Sequence, residues 1–193
     1  MRKRLERRAF QRREWSARLL RTLALLWSLG ALVWGAPAVA LPGPGETVPS
    51  FAAKDLLGQR HESQQWQGRH TLLVVITDQH AGDEMRRWFD AAATRLPEEV
   101  HRASIISLGL PFYVSTGMLR GRAKEQVPQQ FWTDTWADKD GKMARVLGLA
   151  TSRQPYVLAL DERGRVMASV HGNVDSPDAP LIWDALSGQQ HPR

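Results

Sequence analysis

Side chains that could do acid–base or metal chemistry stand close together at residues 78–83. Asp78, His80 and Asp83 supply carboxylate oxygens and an imidazole nitrogen, the donors that bind divalent metals or transfer protons. The segment also precedes a predicted helix, so Asp78 can equally cap that helix while His80 is solvated and Asp83 interacts with the helix dipole. No second cluster with ligand spacing occurs in the sequence. We therefore expect no metal and no other cofactor, and keep Asp78, Gln79, His80 and Asp83 as a candidate functional turn.

Cysteine is absent from all 193 residues. A thiolate is the group that attacks disulfides and peroxides, so thiol–disulfide oxidoreductase and thiol peroxidase activity are excluded. The sequence also lacks a G-x-S-x-G nucleophile elbow and a phosphate-binding P-loop. Of the other histidines, only His171 ends a predicted strand that could approach the same end of the fold as His80. The sequence favours a protein that is not an enzyme.

Another candidate feature is the segment 109–128, which combines aromatic, methionine and basic side chains. Its most distinctive members are Phe112, Tyr113, Met118 and Arg120. Aromatic, Met and Arg side chains are favoured in interface cores, so this segment could be a partner-binding or lipid-facing surface. The alternative is an insertion that folds a short helix over the sheet and buries those apolar side chains. We keep the four residues as a candidate partner surface beside that alternative.

Hydrophobic periodicity predicts the elements that must position these residues. Continuous apolar and β-branched runs are typical of strands buried on both faces, and three- and four-residue spacings are typical of amphipathic helices. The predicted strands span residues 70–77, 103–108, 131–134, 155–161 and 165–171, and the predicted helices span 83–96, 138–147 and 178–186. In the last helix, Leu181, Ile182 and Leu186 are expected to face the core. The order βαβαββα predicts an α/β fold with a mixed sheet and helices on both faces.

The N-terminal 40 residues have the three-part layout of a secretory signal. Residues 1–21 are rich in arginine, residues 22–35 are apolar and uncharged, and Ala38 and Ala40 fit cleavage after Ala40. The alternative is an uncleaved anchor over residues 22–41, because that stretch has roughly the 20 residues needed to span a bilayer. Either way the arginines should stay cytoplasmic, which puts the rest of the chain in the periplasm or another extracytoplasmic space. Membrane contact is expected only through the anchor, if it is uncleaved.

The net charge of +6 comes from this leader. Outside residues 1–21 the chain has 17 basic and 18 acidic residues and is close to neutral. Such a domain lacks the positive field that attracts nucleic acid, so we expect no nucleic-acid partner. The sequence divides into a signal peptide or anchor (1–40), a Pro/Gly-rich linker (41–48), one folded domain (49–188) and a C-terminal tail (189–193).

Short motifs stand at both ends of the domain: Gly45-x-x-Val48-Pro49-x-Phe51, Asp55-x-x-Gly58, Trp66-x-Gly68-Arg69, and Gln154-Pro155 followed by Asp161-Glu-Arg-Gly164. Together they resemble the motifs of exported thioredoxin-like and peroxiredoxin-like proteins. The resemblance implies a thioredoxin-like three-layer sandwich with a mixed central sheet and flanking helices. It also implies that Pro155 is the cis-proline of that superfamily, facing the turn at residues 78–83 where the redox cysteines would lie. Because those cysteines are missing, the chain is similar to cysteine-free periplasmic proteins of the YtfJ type.

Two classes of function are consistent with these features. The first is a non-redox binding or interaction module of the bacterial cell envelope, whose partner is an envelope protein or a small ligand. The second is a metal-binding protein or a cysteine-independent enzyme that uses the turn at residues 78–83. Metal content or ligand binding that is lost on His80→Ala would favour the second class.

Overall fold

A seven-stranded mixed sheet with helices on both faces is the frame of the domain. The computed structural model describes residues 41–188, so the predictions for residues 1–40 and 189–193 lie outside the described part. The strands are β1 (Ala52–Asp55), β2 (Arg60–Glu62), β3 (Thr71–Ile76), β4 (His101–Ser107), β5 (Thr135–Asp138), β6 (Tyr156–Leu160) and β7 (Val166–His171), and the helices are α1 (Gly82–Arg95), α2 (Thr116–Gln126), α3 (Lys142–Val146) and α4 (Ala179–Ser187).

The strands lie in the order β2-β1-β5-β4-β3-β6-β7. The central strands β3, β4 and β5 are parallel to one another, and all other neighbours in the sheet are antiparallel. Because β3 and β4 run in the same direction, their carboxyl ends meet at one edge of the sheet. The segment that follows β3 contains the candidate functional turn.

Strand β3 shows how both faces of the sheet are covered. Leu72, Val74 and Ile76 belong to the core that contains α1, α2 and α4, whereas Leu73 and Val75 belong to the core that contains α3. All six residues of the strand are buried, which explains why its sequence is continuously apolar rather than alternating. The predicted α/β fold, with a mixed sheet between two helical layers, is confirmed.

Helix α1 is anchored to the sheet by Trp88, which is fully buried. The Trp88 ring lies 5.0 Å from the ring of Trp183 in α4, measured between centroids. Its indole N–H also donates a hydrogen bond of 3.1 Å to the carbonyl of Gly172. These contacts hold the middle of α1 against α4 and the segment that follows β7.

One predicted strand is misplaced, and one hairpin was missed. The short strand predicted at residues 131–134 lies at Thr135–Asp138, because Gln129–Phe131 form a 3-10 turn ahead of it. The hairpin of β1 and β2 was not predicted at all. These two strands have four and three residues and are only partly buried, so neither is long enough to show a periodic pattern.

The prediction that Leu181 faces the core from α4 is also wrong, since this side chain is 54% exposed. The buried residues of the helix are Ala179, Ile182, Trp183 and Leu186, as expected for Ile182 and Leu186. Ile182, Trp183 and Leu186 follow Ala179 by three, four and seven residues, so the four side chains lie along one face of the helix. Leu181 lies outside that stripe and faces solvent.

The segment predicted as a linker makes several hydrogen bonds to the hairpin of β6 and β7. Thr47 forms an isolated β-bridge with Arg165. The backbone N–H of Val48 donates to the carbonyl of Gly164 at 3.1 Å.

Within residues 41–188, none of the helices has the length and apolar character needed to cross a bilayer.

Candidate functional site

The candidate turn begins with Asp78, which caps the 3-10 turn Gln79–Ala81. One carboxylate oxygen, Oδ1, accepts a hydrogen bond of 2.8 Å from the backbone N–H of His80 and lies 2.7 Å from Nδ1 of the same residue. The backbone N–H of His80, and then its ring, stabilise the charged carboxylate and lower the pKa of Asp78. The carboxylate therefore orients the imidazole, whose Nε2 points away from it. An imidazole held in this way can accept or donate a proton.

Thr77 connects this turn to the loop that precedes β6. Its buried hydroxyl donates to the carbonyl of Ala150 at 3.0 Å and accepts from the backbone N–H of Ser152 at 2.9 Å. The hydroxyl oxygen of Ser152 lies 2.7 Å from Nε2 of His171. The candidate turn and His171 are therefore connected through one loop at the same end of the sheet.

The ring of His171 is stacked on Tyr156, with centroids 4.1 Å apart and planes 11° apart. Loss of hydration against this ring lowers the pKa of His171 and favours the neutral imidazole. A neutral imidazole can accept the proton of the Ser152 hydroxyl. That hydroxyl in turn accepts the backbone N–H of Gln154 at 3.0 Å, so it helps to shape the loop.

Pro155 lies at the start of β6, as the resemblance implies, but the cis geometry that the resemblance also implies is wrong. No cis peptide bond occurs within residues 41–188. The trans form of an X–Pro bond is favoured by about 0.5–1 kcal/mol, so a cis bond persists only where the surrounding structure selects it. Pro155 is buried, and its carbonyl accepts the backbone N–H of Gly172 at 3.0 Å.

Asp83 does not join Asp78 and His80. Its side chain is 91% exposed in the first turn of α1, where a carboxylate interacts favourably with the helix dipole, and it lies 3.7 Å from the guanidinium of Arg86. Gln79 is also exposed. In the part of the chain that the structure describes, no group of three His, Asp or Glu side chains is placed to hold a metal ion. The turn thus presents an Asp/His pair rather than a three-ligand site.

The candidate partner surface begins on the loop before α2. Phe112 is 92% exposed and Tyr113 is 71% exposed, and their rings meet edge to face with centroids 5.7 Å apart. Met118, in the first turn of α2, is 52% exposed. The alternative was that this segment folds over the sheet and buries its apolar side chains. Leu119 is buried in this way, whereas Phe112, Tyr113 and Met118 are exposed.

Arg120 contacts the turn between β1 and β2. Its guanidinium packs against the turn at Gly58, where a Cβ atom would lie only 3.0 Å from Nη1. Gly58 has a φ of +95°, a conformation that favours glycine, so the turn explains this residue. Arg120 is therefore half-buried.

A buried ionisable pair, Asp55 and His61, was missed from the sequence. Asp55 is fully buried; its Oδ2 lies 2.9 Å from Nε2 of His61, and its Oδ1 accepts the backbone N–H of Gln59 at 2.8 Å. The His61 ring is stacked on Trp136, and its Nδ1 lies 2.8 Å from Oε1 of Gln65. Loss of hydration disfavours the imidazolium, but the hydrogen bonds to Asp55 and Gln65 outweigh this effect and raise the pKa of His61.

His101, in β4, is a second largely buried histidine. Its side chain is only 9% exposed, and its Nε2 lies 3.4 Å from Oδ1 of Asp134 without forming a hydrogen bond. Burial, reinforced by the nearby positive charge of Arg69, lowers the pKa of His101. The position of these two histidines depends on strand pairing, which the sequence pattern at each histidine does not reveal.

Comparison with known proteins supports the fold assignment and does not show a closer relationship. Neither a protein-family model nor a curated protein matches the chain. Among solved structures, the thioredoxin domain of a thiol-disulfide oxidoreductase from Bacteroides vulgatus matches with 10% identity and a TM-score of 0.54, covering 79% of this chain and 100% of that one. The exposed lipoprotein thioredoxin of Streptococcus pneumoniae matches with 14% identity and a TM-score of 0.50, covering 72% and 99%.

A third match is BsSco, a member of the Sco family of cytochrome c oxidase assembly proteins. It has 14% identity and a TM-score of 0.51, with 78% of this chain and 97% of that chain covered. Identities this low show similarity of fold, and the redox functions belong to those proteins. The chain therefore has the thioredoxin-like fold without any of the cysteines on which thiol redox chemistry depends.

Proposed function

We propose that this protein is a non-redox binding module of the bacterial cell envelope, and that it contacts a protein partner through the aromatic loop, residues 111–115. The observation that carries the proposal is the exposure of Phe112 and Tyr113, at 92% and 71%. Burying one large apolar side chain contributes roughly 1.5–3 kcal/mol, so two adjacent exposed rings leave substantial free energy available for association. Without cysteine, binding is the role that this surface supports best.

The ends of the aromatic loop are held by hydrogen bonds. The backbone N–H of Val114 donates to the carbonyl of Pro111 at 3.0 Å, and the Ser115 hydroxyl accepts the backbone N–H of Met118 at 3.1 Å at the start of α2. A loop that is already ordered loses little conformational entropy on binding. Aromatic side chains also have few rotatable bonds, which makes them effective contact residues.

We expect the double variant Phe112→Ala/Tyr113→Ala to lose its partner in a crosslinking pull-down from the native envelope. The bait is the full-length chain with a C-terminal tag, and mass spectrometry identifies and quantifies the captured proteins. An aromatic residue at the centre of an interface typically contributes roughly 2 kcal/mol or more, so recovery of the partner should fall at least about 30-fold even if only one of the two rings lies at the centre.

The matched control is Val146→Ala/Leu181→Ala, which also removes two exposed apolar side chains, at 45% and 54% exposure, from other helices. Circular dichroism establishes that both double variants stay folded. The control should keep the partner. If the two variants lose it equally, or if the unmodified chain captures no reproducible partner, the aromatic loop is not the interaction surface.

The envelope location in this proposal is supported by the leader, in which basic, apolar and small residues follow one another as in a secretory signal. The same mass spectrometry reports the N-terminus of the protein. A mature start at Leu41 means a cleaved signal peptide, whereas an intact N-terminus means a membrane anchor over residues 22–41. The narrower similarity to cysteine-free proteins of the YtfJ type is part of the same proposal.

A second candidate function is favoured by the contact of 2.7 Å between Asp78 and His80. A carboxylate that orients an imidazole is a common arrangement in general acid–base catalysis and beside metal ions. This candidate predicts an activity or a bound metal that depends on the His80 ring. It would use the turn at residues 78–83 rather than the aromatic loop.

The variant His80→Ala separates the two candidates. We expect no measurable change in the unfolding midpoint, because the side chain is 61% exposed, and no change in the metal content of protein purified from the envelope. Inductively coupled plasma mass spectrometry measures the metal. Asp83→Ala is the matched control, because it removes an exposed side chain of the same segment that lies outside the Asp78/His80 pair. Metal lost from folded His80→Ala alone would favour the second candidate.

A further inference from the structure

A cavity of about 470 Å³ lies between α1, α2 and β4, beside the candidate turn. Its walls are mostly apolar and include Met85 and Phe89 from α1, Ile106 from β4 and Leu119 from α2. Pockets that bind small molecules have volumes of roughly 300–1,000 Å³ and mainly apolar walls. The size and lining of this cavity are therefore suitable for an aliphatic chain of moderate length.

The charged groups of the cavity are mostly basic. Arg86, Arg102 and Arg122 line it, and Asp90 is the one carboxylate among its described lining residues. Arg86 lies no closer than 3.7 Å to the exposed carboxylate of Asp83. Arg122 forms no ion pair with any residue between 41 and 188. The cavity thus has an excess of positive charge that an anion would neutralise.

Arg102, which also lines a neighbouring cavity together with Glu98 and Glu99, has a hydrogen-bond donor without an acceptor among residues 41–188. Its Nε is buried and has no hydrogen-bond partner in the described part of the chain. Its Nη2 makes only a long hydrogen bond, 3.4 Å, to the carbonyl of Ala92. A buried donor without an acceptor is unfavourable, and more so when the group is charged. A ligand oxygen near this guanidinium would remove that cost.

We infer that this cavity binds a single-chain amphiphile with one anionic head group, of the class of a medium-chain fatty acid. The apolar walls would bury the chain, and the arginines would bind the head group through charge-assisted hydrogen bonds. A neutral amphiphile could accept a hydrogen bond from Arg102 but would leave the excess positive charge of the cavity without compensation, and a cationic one would be repelled. The inference goes beyond the proposed partner binding: Val114 of the aromatic loop lines the cavity, but neither Phe112 nor Tyr113 does.

Photoaffinity labelling of the full-length chain in native envelope membranes tests the inference. The probe is a ten-carbon carboxylate with a diazirine in its chain, and mass spectrometry locates the labelled peptides. We expect labels in α1 and α2 and at least about a tenfold loss of labelling when unlabelled decanoate competes. Decan-1-ol at the same concentration should compete much less. An anionic lysophospholipid with the same acyl chain, as a third competitor, distinguishes a membrane lipid from a free fatty acid as the source.

The arginines are tested by Arg86→Gln/Arg122→Gln, which should lower labelling about tenfold because two charge-assisted contacts are lost. Arg60→Gln/Arg163→Gln removes two other exposed arginines and should leave labelling unchanged. As a second test, Ala123→Leu narrows the cavity without changing its charge and should also lower labelling. Circular dichroism checks the fold of each variant.

Three results would overturn the inference. They are labels that lie outside the cavity, equal competition by decan-1-ol and decanoate, and labelling that persists in Arg86→Gln/Arg122→Gln. The variant Phe112→Ala/Tyr113→Ala should still be labelled, so a failure of the proposed partner surface is distinguishable from a failure of the ligand site.

Discussion

Replacing Asp55 by alanine is expected to lower the free energy of unfolding by about 3 kcal/mol or more. Removing one member of a buried ion pair leaves the other charge without compensation, which typically costs roughly 3–5 kcal/mol. Asp55 is fully buried and accepts hydrogen bonds both from the His61 ring and from the backbone N–H of Gln59. The substitution would leave both donors without their acceptor. It would also remove the side chain that closes the turn between β1 and β2.

This pair should also make stability depend on pH. The pKa of His61 is raised above its ordinary value of 6.5 in the folded protein, so folding favours the protonated ring. Its contribution to stability is therefore complete below the unfolded-state pKa and is lost as the pH rises through the higher folded-state pKa. In Asp55→Ala this loss of stability with rising pH should be much smaller, because the main partner of the imidazolium is gone.

Urea unfolding followed by circular dichroism, between about pH 5 and pH 9, measures both effects. The matched control is Glu62→Ala, which removes an exposed carboxylate from the same hairpin and should change stability little. A stability loss in Asp55→Ala no larger than in the control would mean that the pair is not coupled to folding. An unchanged pH dependence would mean that His61 does not titrate as a member of this pair.

Replacing Trp88 by alanine should have an effect of similar size, about 3–5 kcal/mol. The Trp88 side chain is fully buried between α1, α4 and the sheet, so its removal creates a cavity that the surrounding helices can close only in part. It also leaves the carbonyl of Gly172 without the indole N–H that it accepts at 3.1 Å. Both losses weaken the attachment of α1, and therefore of the candidate turn.

Chemical unfolding measures the change in stability, and hydrogen exchange at the amides of residues 78–85 reports on the beginning of α1. Trp132→Ala is the matched control, since this side chain is half-buried and contacts Lys124 at the surface. It should cost less than Trp88→Ala. Trp88→Phe keeps most of the ring volume and should lie between the two. If Trp88→Ala costs no more than Trp132→Ala, the packing of α1 does not depend on this ring.

The main elements of the sheet and the helix α1 were predictable from sequence because their signals are local. A buried central strand such as β3 needs an unbroken apolar run, and α1 needs apolar residues every three or four positions. The hairpin of β6 and β7 was predictable from its apolar strands and from the turn ending in Gly164, whose φ is +73°. The absence of cysteine, and the redox chemistry that it excludes, needed no structure at all.

The sequence also identified Asp78, His80 and His171 as residues worth testing, on the basis of their types and positions. It could not establish that Asp78 and His80 are in contact, nor that Ser152 connects the loop before β6 to His171. For the aromatic segment, it left open whether the rings are buried or exposed. The structure exposes Phe112 and Tyr113, because the loop that carries them lies before α2 rather than beneath it.

The pairing of Asp55 with His61 and the presence of the cavity follow from the tertiary structure alone. Asp55 and His61 meet only because a short, non-periodic hairpin brings them together, and His61 is buried only because Trp136, from another strand, stacks on it. The cavity is the space left between α1, α2 and β4, whose side chains come from distant parts of the chain. Local patterns determine which segments form strands and helices, whereas contacts between segments determine which polar groups are buried and where space remains for a ligand.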